Sequence, residues 1–236
     1  MIVYDDNAYY AYPRIEQQRA ALLRSTSMVE QVDYGTGAEV RPTGTPLATL
    51  RRVADIARTH LESPKIAQLL FRLVNHLSAT ERRPLTIVEL GSSLGITSSY
   101  LALASLQSTV QTYEGAQDVL NVAEDVWRNL GLTNIEPVIG NIDDTLPKHC
   151  PKHVDLAFID ANHTYEATLR YVRQLLPTMA EHSILVVDDI YHSPEMERAW
   201  RDIQVLPEVT STIDCYYIGL VFFNKHYIRK HYKMRI

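Results

Sequence analysis

The residues in this sequence best suited to chemistry are carboxylates that each close a short apolar or β-branched run. Glu89 follows Thr86-Ile-Val, Glu114 closes the run from Val110, Asp160 follows Phe158-Ile, and Asp188-Asp189 follow Ile184-Leu-Val-Val. Asn141 stands in the same relation to the run from Ile135, and His163 lies three residues beyond Asp160. Acids gathered on one edge repel one another unless a cation or hydrogen-bond donors compensate, so the set implies a ligand carrying positive charge or donors. Asp160, Asp188 and Asp189 offer hard oxygens from two strand ends, a donor set that suits Mg2+ and not zinc. Histidine titrates near neutrality, so His163 suits the removal of a proton from a hydroxyl. Each residue also has a plainer reading. Asp188-Asp189, ahead of Ser193-Pro194, could cap the next helix, and His163 could cap or pack against the helix that follows it.

The stretch that must position these groups is Thr86-Ile-Val-Glu-Leu-Gly-Ser-Ser-Leu-Gly-Ile-Thr97. It reads as a strand, a tight glycine-rich turn and the start of a helix running to about Leu106, which lets backbone approach a nucleotide above a helix N-terminus. Glu114 ends the next strand-like run, about 20 residues beyond Gly95, where a nucleotide fold places the acid that holds a ribose. An acid directly before the turn would repel a pyrophosphate, whereas S-adenosylmethionine carries an ammonium and a sulfonium that an acidic rim attracts. Glu89 therefore favours S-adenosylmethionine over NAD. An NAD-type oxidoreductase is further disfavoured by the lack of a Gly-x-Gly-x-x-Gly turn, and a non-catalytic nucleotide-binding module would not need Asp160, His163 and Asp188-Asp189 together.

Strand and helix then alternate. Strands are expected at 110–114, 135–139, 154–160 and 183–189, with helices at 117–130, 165–179 and 194–203, which implies a mostly parallel sheet covered on both faces. Val209–Tyr216 and Ile218–Asn224 follow one another across a short turn and should form an antiparallel hairpin. Ahead of this unit, Ser63-Pro64 is a good helix start, and Ile66, Leu69, Leu70, Leu73 and Leu77 mark one apolar face. Residues 1–62 read as a separate N-terminal arm, helical at 15–23 and 50–61 around a glycine- and proline-rich loop, and residues 63–236 as the ligand-binding domain. The arm either folds over the catalytic face as a lid or serves packing, including that of a homodimer.

At 236 residues and 46% hydrophobic content the chain suits one globular domain with an appendage, and its net charge of -5 gives no general reason to expect nucleic acid. The N-terminus does not read as a leader, no apolar run is long enough for a membrane, and the cysteines Cys150 and Cys215 make no disulfide framework, so the cytoplasm is the expected compartment. His149-Cys150-Pro-Lys-His153 lacks a second pair of metal ligands and reads as a solvated loop. The basic run from Asn224 to Ile236 reads as an edge strand, with an RNA methyltransferase as the alternative it would imply.

Glu89-Leu-Gly-Ser-Ser-Leu-Gly95 with Glu114 resembles the first two motifs of class I S-adenosylmethionine-dependent methyltransferases. Asp160-Ala-Asn-His163-Thr-Tyr165-Glu166 with the later Asp188-Asp189 resembles the catechol-type and small bacterial O-methyltransferases among them. The resemblance spans roughly residues 64–226 and implies a Rossmann-like α/β fold: a mostly parallel seven-stranded sheet, a C-terminal antiparallel hairpin and helices on both faces. It implies a cofactor site of Glu89, Gly91, Ser93, Gly95, Thr97, Glu114, Gly140, Asn141 and Asp160. It further implies Mg2+ on Asp160, Asp188 and Asp189, His163 as base where related enzymes have lysine, and a small hydroxylated acceptor. The sequence departs from the group in carrying Asp189 where an asparagine is usual.

Overall fold

The computed structural model describes residues 7, 9–32, 34, 47–226 and 228–235. Helix α1 (Ala11–Leu22) leads to an antiparallel ribbon, β1 (Met28–Val32) with β2 (Ala48–Arg52), and then to α2 (Val53–His60) and α3 (Pro64–Glu81). The main unit continues as β3 (Thr86–Leu90), α4 (Ile96–Ala104), β4 (Thr109–Glu114), α5 (Gln117–Leu130), β5 (Ile135–Ile139) and α6 (Ile142–His149). It ends with β6 (Val154–Ile159), α7 (Tyr165–Leu175), β7 (Met179–Val187), α8 (Pro194–Gln204), β8 (Ser211–Asp214), β9 (Gly219–Phe222) and β10 (Lys230–Lys233).

The main sheet runs β10-β8-β9-β7-β6-β3-β4-β5. Strands β7, β6, β3, β4 and β5 are mutually parallel, and β9 pairs antiparallel with both β7 and β8. This is the expected mostly parallel sheet closed by a hairpin. It has eight strands instead of seven, because the basic C-terminal run adds β10 alongside β8, exposed throughout.

Alternation along the strands builds the two faces. Ile87, Phe158 and Val186 point to the layer holding α3, while Val88, Ala157 and Val187 point to the layer holding α7 and α8. Buried on both sides, these strands read as continuous apolar runs. α3 begins as its residues require: the Ser63 hydroxyl accepts from the Ile66 N–H at 3.3 Å, and Pro64 fills the first turn, where its missing N–H costs nothing.

Several expected boundaries moved. Residues 50–52 belong to β2, not to a helix, because pairing with β1 and the bond from Arg51 Nη1 to Gln31 Oε1 (2.9 Å) outweigh local helical preference. Residues 176–179 leave the helix, and β7 starts at Met179. α6 was not foreseen, since Pro147 lies inside it. The glycine- and proline-rich passage at 35–46 lies outside the described residues. α1 packs its buried Ala11, Ile15 and Leu22 into a cluster with α4 and α5, so the arm shares a core with the sheet unit. No described helix is long and apolar enough to cross a membrane.

Candidate active site

A cavity of about 460 Å³ opens beyond the carboxyl ends of β3, β4, β6 and β7, and one half of it is shaped by the glycine-rich turn. Gly91 has φ +98°, and a Cβ there would lie 2.1 Å from the Asp160 carbonyl oxygen, so only glycine lets β3 leave the sheet beside β6. Ser93 follows at φ 47°, and its N–H donates to Glu114 Oε2 at 2.9 Å, while the Ala116 N–H donates to Oε1 at 3.0 Å. Glu114 thus braces the turn and faces the cavity from the end of β4. Asn141 lines the same half and caps α6, accepting from the Asp143 N–H at 3.0 Å.

Other residues of the expected cofactor set stand behind this surface. The carbonyl of Gly95 accepts from Trp127 Nε1 at 3.0 Å, and a Cβ on Gly95 would meet Trp127 and Ala123, so this glycine serves the packing of α4 on α5. Thr97 is buried in the first turn of α4, and Gly140, at φ +126°, makes the turn into α6. None of these three lines the cavity. Glu89 does not either. Its side chain is wholly buried below the turn, where the Ser98 hydroxyl donates to Oε2 and Thr112 Oγ1 does so at 2.6 Å. Burial first, with weaker repulsion from Asp160 and Glu114, raises its carboxyl to about 7 against those two hydroxyls. The expectation that Glu89 forms part of an acidic rim is therefore corrected: strand alternation turns it into the protein.

The acids of the other half come from β6, β7 and the arm. Asp160 and Asp188 follow adjacent parallel strands, their N–H groups bonded to Leu90 and Ile159 carbonyls at 3.0 and 2.9 Å. His163 lies between two of them, Nε2 3.5 Å from Asp160 Oδ1 and Nδ1 3.9 Å from Asp189 Oδ2. His192 Nδ1 approaches Asp189 Oδ2 from another side at 3.6 Å. Burial, then Asp160, Glu62 and Asp189, push the Asp188 carboxyl well above the usual range. The caps of both helices are other residues. Thr164 caps α7, accepting from Ala167 N–H at 3.3 Å, and Ser193 caps α8, accepting from Met196 N–H at 3.2 Å. Ser93, Asn162, His163 and Asp189 all line the cavity with positive φ, a backbone state costing about 1–3 kcal/mol per residue that concentrates at functional sites.

Residues 88–190 match a family model described as a methyltransferase domain. No curated protein matches the sequence, but its fold recurs in solved structures. An O-methyltransferase from Bacillus cereus in complex with S-adenosylhomocysteine shares 17% identity at a TM-score of 0.62, over 92% of both chains. A Podospora anserina methyltransferase bound to S-adenosylhomocysteine shares 14% identity at 0.62, over 92% of this chain and 88% of that one. The O-methyltransferase TomG from Streptomyces achromogenes, involved in tomaymycin synthesis and in complex with S-adenosylmethionine, shares 20% identity at 0.58, over 70% of this chain and 82% of that one. The class I fold expected from the motifs is the fold observed.

Three residues of the cavity had no signal in the sequence. Tyr34, from the arm, places its ring over Gly115, where a Cβ would lie 2.7 Å from Tyr34 Cε2. Glu62, between α2 and α3, extends the acid cluster; burial first, then Asp160, raises its carboxyl to about 7, and its Oε2 is buried without a hydrogen-bond partner. His192 precedes α8. Tyr34 and Glu62 reach the site only through the packing of remote segments, whereas His192 lies three residues beyond Asp189 and meets it locally.

Proposed function

We propose that this chain is an S-adenosylmethionine-dependent O-methyltransferase acting on a small hydroxylated molecule. The observation that carries the reading is one cavity divided in two. The Gly91–Ser93 turn braced by Glu114 lies on one side, and the carboxylates with His163 lie on the other. The volume, about 460 Å³, suits a nucleoside-sized ligand with a small acceptor beside it. In this reading Glu114, at the end of β4 and lining the cavity, accepts from ribose hydroxyls, and the turn lies along the methionine end. The basic run in β10 contributes nothing to the cavity lining, which favours a small acceptor over RNA.

Methyl transfer is an in-line displacement: the acceptor oxygen forms a bond to the methyl carbon as the carbon–sulfur bond breaks, and the hydroxyl proton must go to a base. His163 is the base in this reading, with Asp160 and Asp189 on either side of its ring at 3.5 and 3.9 Å. The cavity walls hold the two reactants collinear and exclude water, which removes much of the entropic barrier. Residues 1–62 act as a lid in this reading, with Tyr34 and Glu62 closing the two halves.

The acid half also offers the hard oxygens that a divalent cation takes, although Asp160, Asp188 and Asp189 do not bring their ligand atoms within 4.8 Å of one another in this structure. Several carboxylates share it, Glu62 Oε2 has no partner there, and the donors are oxygens, the set that Mg2+ takes. Asp160, Asp188 and Asp189 would hold Mg2+, and a bound cation would acidify an acceptor hydroxyl. Calorimetric titration with S-adenosylmethionine and with NAD+, each with and without Mg2+, tests the whole reading. Binding of the methyl donor alone supports it, and binding of NAD+ alone overturns it. Mg2+ dependence that appears with a catechol and disappears in Asp188→Asn supports the metal assignment.

A further inference from the structure

At the other end of the strands two histidines, an aspartate and an arginine converge. Asp155 is the second residue of β6, five residues before Asp160, which at about 3.3 Å per residue separates the two by roughly 16 Å. Its side chain is wholly buried, and its oxygens have different partners. Oδ2 accepts from the Thr86 N–H at 2.8 Å and from Arg83 Nη1 at 3.0 Å. Oδ1 meets Arg83 Nη2 at 2.5 Å, His153 Nε2 at 2.9 Å and His182 Nε2 at 2.9 Å. Burial alone would raise this carboxyl, but bonds from Arg83, Thr86, His182 and His153 hold it well below the usual range.

The two imidazoles are in conflict with their surroundings. Arg83 Nη2 also lies 3.3 Å from His153 Nε2 and 2.9 Å from His182 Nε2, so each Nε2 faces a carboxylate oxygen and a guanidinium N–H together. A protonated Nε2 suits Asp155 and opposes Arg83; a bare Nε2 suits Arg83 and opposes Asp155. A cation without protons, placed where Nη2 stands, would take a lone pair from all three atoms and remove the conflict. These atoms lie within 4.8 Å of one another. Tetrahedral zinc needs ligand atoms about 3.4 Å apart, so the contacts to Asp155 open by only about half an ångström.

We propose that His153 Nε2, Asp155 Oδ1 and His182 Nε2 form a site for a divalent transition-metal ion of the Zn2+ class. Nitrogen donors exclude the Mg2+ chemistry of the cavity and select a borderline-soft cation. Arg83 must leave Asp155 as the ion enters, and Glu81, whose Oε2 lies 3.7 Å from Nη2, is placed to receive the guanidinium. His153 and His182, with side chains 45% and 32% exposed, leave a path for entry and a fourth position for water. The ion would fasten β6 to β7 beside the turn from α3, stabilising the folded chain without touching the cavity.

The test uses the full chain stripped with a chelator and then given Zn2+. One equivalent should survive gel filtration, raise the melting temperature and show two imidazoles by X-ray absorption at the zinc edge. The double variant His153→Ala, His182→Ala should bind at least about 100-fold more weakly. Arg83→Gln removes the competing cation and keeps the ligands, so it should melt lower without metal yet bind Zn2+ more tightly. Failure to retain zinc, or retention that the double variant leaves unchanged and Asp188→Asn abolishes, overturns the site. Should the double variant not fold, zinc bound to the unaltered chain without imidazole scattering also overturns it.

Discussion

The ring of Tyr34 covers Gly115 so closely that a methyl group on that glycine would lie 2.7 Å from Cε2. Gly115 directly follows Glu114, so this contact brings the N-terminal arm onto the half of the cavity assigned to the nucleoside. An aromatic face in that position contributes about 0.5–1.5 kcal/mol to a stacked partner. Tyr34→Ala is expected to weaken S-adenosylmethionine binding by between about threefold and tenfold in calorimetry. An unchanged dissociation constant would show that the ring serves packing alone.

His163 stands between Asp160 and Asp189 at 3.5 and 3.9 Å. If it takes the acceptor proton, His163→Gln should lower turnover by about 100-fold or more while leaving methyl-donor affinity nearly unaltered. Single-turnover rates alongside equilibrium titration separate the two effects. Turnover equal to that of the unaltered chain removes the histidine from the chemistry.

Gly91 combines φ +98° with the approach of the Asp160 carbonyl. Gly91→Ala should lower stability by at least about 2 kcal/mol in urea denaturation, because the left-handed backbone and the steric overlap both penalise a Cβ. A stability within experimental error of the unaltered chain would mean that β3 and β6 can move apart freely.

Glu89 gives a pH signature. Its folded-state carboxyl is raised from 4.5 to about 7, so the folded chain binds the proton more tightly than the unfolded chain does. Stability should therefore fall as pH rises from about 4.5 to about 7, by roughly 3 kcal/mol for this group, and then level off. Glu62, raised in the same direction, adds to the slope. In Glu89→Gln the fall over this interval should shrink by the Glu89 share, read from urea midpoints across pH. An identical slope in the variant means that Glu89 keeps an ordinary carboxyl.

The strand ends were legible because position along a buried strand is local information. Apolar runs stop where the chain leaves the sheet, and Asp160 and Asp188 stand at those stops. The face that each residue takes was less legible. Glu89 stands at the end of such a run too, yet it points into the protein while Glu114 faces the cavity. The helix assigned to residues 50–61 failed in its first turn for a related reason: the β1 partner that makes 50–52 a strand lies about twenty residues upstream and carries no mark in the local pattern.

The sequence by itself determined the class I fold and the row of strand-end residues, because hydrophobic periodicity and turn chemistry act between neighbours. Tertiary structure decided which of those residues share a cavity, since the strand order β7-β6-β3-β4 sets adjacent ends together. It also brought Tyr34 and Glu62 to that cavity, and joined His153, Asp155 and His182 with Arg83 at the opposite end. These contacts join residues dozens of positions apart. They exist because the arm and the turn from α3 bury apolar faces against the sheet, and the polar groups they carry meet wherever that packing leaves them.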